Sequence, residues 1–136
     1  MSIAIQLARA LRDSGLVWHP SSADNFIIDR LEADDEIFTL SDMTVEAHVF
    51  ETGTVLGFNG TTEWALDSVA LDDALWLPRE DQLRELVAAA FLSLSRDADG
   101  FTVVAIVDGS PSEFRAADAA DAYARALLAI LDALAS

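Results

Sequence analysis

The chain has 136 residues, with 24 Asp and Glu against eight basic residues, all Arg, for a formal net charge of -16 and a pI near 4.1. A surface this negative repels phosphate backbones and anionic headgroups, which argues against direct nucleic-acid or membrane binding. The lack of Lys excludes a phosphate-loop lysine and Schiff-base chemistry, and the lack of Cys excludes thiol catalysis and thiolate metal sites.

Apolar residues make up 52% of the chain and mean hydropathy is +0.29, so it is expected to fold despite its charge. Its length suits one domain, 1–136, of α+β class, with antiparallel sheet meanders packed against about three helices. Apolar surface beyond what one small core hides points to a partner interface, a homodimer being one form of it. The first residues lack a basic region and a long apolar run, which predicts a soluble, cytoplasmic protein.

Ser2 is placed to cap a first helix running to Ser14, with Ile3, Leu7, Ala10 and Leu11 at helical spacing and Gly15 at the left-handed stop. Apolar runs at 25–28 and 36–40 predict a hairpin. Residues 45–66 predict a three-stranded meander, turned at Glu51-Thr52-Gly53 and at Asn59-Gly60. A three-residue first loop sets Phe50 opposite Thr54, and the Asn-Gly turn sets Phe58 opposite Thr61. Val45, Ala47, Val49, Val55, Gly57, Trp64 and Leu66 then form the core face. Glu46, His48, Phe50, Leu56, Phe58, Thr61, Glu63 and Ala65 fall on the other.

Pro78 suits the first turn of a second helix, 78–89, with Leu83, Leu86, Val87 and Ala90 as the stripe that covers the meander. Strands at 91–96, 101–107 and 113–116 follow, with turns at Asp97-Ala98-Asp99-Gly100 and Asp108-Gly109. A last helix runs from Asp118 to Ala135, with Tyr123, Leu127, Leu128, Leu131 and Leu134 on its apolar side.

No catalytic, cofactor-binding or metal residue emerges. Asp97-Ala98-Asp99-Gly100 starts like a calcium loop, but aligning Gly100 with its sixth position puts Ile106 where the bidentate Glu belongs, so a turn is the better reading. His19 and His48 have no His partner at i+3 or i+4. His48 is either a strand residue bonded to Glu46 or Glu63, or an acid–base group working with them. The face carrying Glu46, His48, Phe50, Leu56, Phe58 and Glu63 has an interface composition, aromatics among polar groups; it is either a protein-interaction face or a second core layer under a helix.

Around Gly57-Phe58-Asn59-Gly60-Thr61-Thr62-Glu63-Trp64-Ala65-Leu66-Asp67-Ser68-Val69 and Trp76-Leu77-Pro78-Arg79-Glu80-Asp81-Gln82-Leu83-Arg84, the chain resembles a family of small, largely uncharacterised actinobacterial proteins. Some members carry a pilus-assembly label of the CpaE type, so the resemblance implies a place in that process. Larger CpaE-type proteins have an ATPase-like domain with a phosphate-binding loop; this chain has no Lys to build one, and no catalytic residue transfers.

Three functions follow as expectations. The first is a non-catalytic adaptor or chaperone-like domain with a protein partner. The second is a small-molecule binder or enzyme using His48 with Glu46 and Glu63. The third is an acidic decoy of a nucleic-acid-binding protein.

Overall fold

The computed structural model describes residues 3–28, 37–40, 46–50, 53–57, 68–70 and 74–135, with the strands between 46 and 70 given by their backbone. Among these residues the fold is α+β, with three α-helices and three three-stranded antiparallel sheets. The chain groups into two compact units, Met1–Val17 with Pro78–Ser136, and Trp18–Leu77.

The first unit begins with α1, Ile5–Asp13. Ser2 lies outside the described residues, and the N-cap is Ala4, whose N–H donates to the Asp121 carboxylate over 2.7 Å instead of to a local side chain. The C-terminal end follows the sequence: Leu16 N–H bonds the Leu11 carbonyl and Gly15 N–H the Arg12 carbonyl, a Schellman closure that places Gly15 at φ +110°. Ala8 and Leu11, three apart, form the buried side of α1.

The second helix, α2, spans Glu80–Val87. Pro78 lies two residues before it, and the Arg79 N–H is taken up by Gln82 Oε1 at 2.9 Å. Glu80 and Asp81 occupy the first turn, where the helix dipole favours acids. Leu83 and Val87 are buried against α3, whereas Leu86, expected on the apolar stripe, is exposed. Val87 and Leu83, four apart, already define the line facing the neighbouring helix, and Leu86 sits to its side.

The sheet of this unit is a meander of β7 (Phe91–Asp97), β8 (Gly100–Val107) and β9 (Ser110–Ala116), with β8 central. Both turns have two residues, Ala98-Asp99 and Asp108-Gly109, so the aspartate-rich stretch is a turn as expected. The Asp97 carboxylate accepts the Asp99 N–H at 2.8 Å, and Gly100 enters β8 at φ +136°. A Cβ on Gly100 would collide with the Ala116 carbonyl oxygen of β9, so only glycine fits this position.

The third helix, α3, spans Ala119–Ala135 and packs on β8, β9, α1 and α2. Its alanines explain how one helix serves so many neighbours: Ala119, Ala120, Ala122, Ala124 and Ala126 are all buried, and small side chains let backbones approach closely. Val103 and Ala105 of β8 are fully buried on the covered face. Leu134, placed on the apolar side by periodicity, is 78% exposed in the last turn of α3.

In the second unit β1 (Asn25–Ile28) pairs with β2 (Phe38–Thr39), the hairpin partners read from the sequence. On its other side β1 pairs with β6 (Ala74–Leu77). Strands β3 (Glu46–Phe50), β4 (Gly53–Gly57) and β5 (Ser68–Ala70) form a second antiparallel sheet in that order.

Candidate functional site

The sheet β3-β4-β5 carries the residues that the sequence singles out, and its register decides which of them share a face. Glu46 pairs with Gly57, His48 with Val55 and Phe50 with Gly53. The three-residue loop would have set Phe50 opposite Thr54, so the observed register is shifted by one residue. A one-residue shift exchanges the faces of one strand relative to the other. Glu46, His48 and Phe50 therefore share a face with Val55 and Gly57, while Leu56 joins Ala47 and Val49 on the opposite face.

The third strand is also displaced. Val55 pairs with Ala70, Leu56 with Val69 and Gly57 with Ser68, so ten residues, 58–67, connect β4 to β5 where an Asn59-Gly60 hairpin would leave two. A tight turn would place Glu63 opposite Leu56, whereas the observed register places Val69 there, apolar against apolar. Phe58 and Glu63 lie outside the described residues. Of the six candidate residues, the register thus brings together Glu46, His48 and Phe50, with Ser68 and Ala70 completing that face.

The sheet β2-β1-β6 holds aromatic residues that sequence periodicity does not single out. Phe26 on β1 lies opposite both Phe38 and Trp76, and Trp18 stacks near it, with ring centroids 5.5 Å apart for Trp18–Phe26 and for Phe26–Phe38. Trp18, Phe26, Leu40 and Ala74 form the buried cluster, with Ile28, Phe38 and Trp76 packed against it. The Trp76 indole N–H is buried with no acceptor among the described residues.

Asp24 is 2% exposed in this cluster, and its Oδ2 accepts the Trp18 indole N–H at 2.9 Å and the Ser21 N–H at 3.0 Å. Flanking backbone bonds, Ala23 N–H to Leu40 carbonyl at 2.7 Å and Leu40 N–H to Asp24 carbonyl at 2.9 Å, fix it in place. With donors on its carboxylate and no route to solvent, Asp24 is a structural anchor. Its signal in the sequence is the Trp-x5-Asp spacing ahead of an apolar strand, which periodicity ignores.

In the first unit, Arg84 sits 4.5 Å over the ring of Phe91, whose ring lies 5.8 Å from that of Tyr123. Burial pushes the Tyr123 hydroxyl up from its usual pKa, with Arg84 pulling it down and Glu80 pushing it up to lesser extents. His19 is exposed in the segment before β1. Among the described residues no three His, Asp or Glu side chains converge as a metal site requires. No described helix is long and apolar enough to cross a membrane.

Charge is divided unequally. Residues 18–77 hold 13 Asp and Glu and one basic residue, Arg30, a net -12; the remaining 76 residues account for only -4 of the total -16. No family model, curated protein or solved structure matches the chain.

Proposed function

We propose that the chain is a non-catalytic protein-interaction module, an adaptor or chaperone-like domain, that works in the cytoplasm and engages its partner through residues 18–77. The observation that carries this reading is the net -12 of that stretch, against -4 for the rest of the chain. Charge of one sign concentrated in one unit steers a partner of the opposite sign and rejects nucleic acid and anionic membrane. The partner surface is therefore Lys- and Arg-rich. On the chain's side, the register puts the aromatic Phe50 on one sheet face with Glu46 and His48, and that residue is taken as the contact to test. A role in pilus assembly rests on the family resemblance.

The test is capture of the tagged chain from its native host, at low salt and at roughly 0.5 M salt, beside the Phe50→Arg variant. The expected result is one stoichiometric basic protein, released by salt and lost with Phe50→Arg while the variant's circular dichroism and melting are unchanged. Capture of nothing above background, or of a protein indifferent to both salt and the substitution, overturns the reading.

A further inference from the structure

The β9 edge of the first unit is self-complementary. Among the described residues β9 pairs with β8 alone, so its other side carries an unpaired row of backbone groups. Val107 and Ser110 close a two-residue turn in which Asp108 and Gly109 have φ +51° and +81°, the geometry of a type I′ hairpin, so they form a hydrogen-bonded pair. Pairing runs without a bulge to Phe101 opposite Ala116, and hydrogen-bonded pairs alternate with non-bonded ones. Ser110, Ser112, Phe114 and Ala116 therefore direct their backbone groups to β8, and Pro111, Glu113 and Arg115 direct theirs outward.

A second β9, antiparallel and related by a two-fold axis, can dock only by matching outward residues with outward residues. Three such registers lie within reach of Glu113 and Arg115. One sets Glu113 against its own copy, one sets Arg115 against its own copy, and the third, centred on Phe114, sets Glu113 opposite Arg115 twice. Only the third opposes unlike charges, which favour pairing where like charges oppose it. Both side chains are exposed and share the face away from α3, since Phe91, whose ring lies against that of Tyr123 of α3, shares the face of Ala105 and Val103.

We propose that two copies of this chain join edge to edge along β9 in this register. Glu113 of each copy pairs with Arg115 of the other, the two Phe114 residues meet at the axis, and the sheets merge into one of six strands. Pro111, which has no N–H to donate, ends the new ladder on each side. This dimer is independent of the partner assigned to residues 18–77, because β9 belongs to the other unit.

The test is sedimentation equilibrium of the full chain from roughly 1 μM to roughly 1 mM. The wild type is expected to be a dimer. Glu113→Arg and Arg115→Glu each set like charges opposite at both positions, and are expected to weaken association about tenfold or more. The double exchange Glu113→Arg/Arg115→Glu restores the wild-type constant. A mixture of the two single variants associates more tightly than either alone, because every cross-strand pair is again of opposite sign. Since both positions are exposed, circular dichroism is expected to show each variant folded. A wild type that stays monomeric throughout, single variants that associate as well as wild type, or a double exchange and a mixture that fail to recover association would overturn the proposal.

Discussion

The indole N–H of Trp18 donates to Asp24 across 2.9 Å inside a cluster where the carboxylate is almost wholly shielded from water. The same oxygen accepts the Ser21 N–H at 3.0 Å. Replacing Asp24 by Ala would strand the buried Trp18 indole donor and remove the acceptor of the part-buried Ser21 N–H, at a cost of about 2 kcal/mol. Asp24→Asn keeps one acceptor oxygen and is expected to cost about half as much. Urea unfolding followed by tryptophan fluorescence measures both, and equal stabilities for the two variants would show that the hydrogen bonds do not anchor the cluster.

Gly100 and Gly109 separate two sources of glycine dependence. Both have positive φ, but a side chain at Gly100 meets the Ala116 carbonyl while one at Gly109 meets open space. Gly109→Ala is expected to cost about 1 kcal/mol from the backbone alone, and Gly100→Ala at least about 1 kcal/mol more. Thermal or urea denaturation of the pair gives the order directly.

Ala88 ends α2 at φ +55° and ψ -129°, a conformation that L-residues seldom adopt. Ala88→Gly is expected to stabilise the chain by about 1 kcal/mol, because the relief of backbone strain exceeds the added entropy of the unfolded glycine. Ala124→Gly, in the buried part of α3, removes a methyl from an ordinary helical position and should destabilise by about 1 kcal/mol or more.

Tyr123 is the only tyrosine, so the tyrosinate absorbance reports it without interference. Burial raises its pKa above the usual value near 10. Below the unfolded value the hydroxyl is protonated in both states; above it the unfolded chain loses the proton first. Stability from this group is therefore full below about pH 10 and declines as pH rises toward the folded value. A spectrophotometric titration of the folded chain should lie above that of the urea-unfolded chain, with stability falling across the interval.

Local chemistry made much of the first unit legible. Gly15 stops α1, Asp108-Gly109 turns the last hairpin, and the apolar run through 101–107 marks the central strand, although an unbroken run does not say that Val103 and Ala105 are its buried side. What escaped depends on distant pairing. Leu75-Trp76-Leu77 is too short to show a period, and becomes a strand because β1, some fifty residues earlier, pairs with it. The N-terminal cap of α1 comes from Asp121, on a helix at the other end of the chain.

The candidate face shows how little separates two registers. Reading Gly53 as a bulge puts Leu56 beside Phe50; pairing Gly53 directly with Phe50 moves Leu56 to the opposite face. Asn59-Gly60 is a strong local turn signal, but it would oppose Glu63 to Leu56, and the sheet instead takes Val69 as Leu56's partner. The charge asymmetry, by contrast, can be counted from residues alone once the boundary at residues 17/18 and 77/78 is known.

The measurement that bears most directly on the interaction reading is amide hydrogen exchange of the chain alone and with its captured partner. Added protection should fall in peptides from 18–77, with the strands 46–50 and 53–57 among them, and should fade as salt is raised. Protection confined to 78–135, or unchanged by salt, would contradict an acidic docking unit.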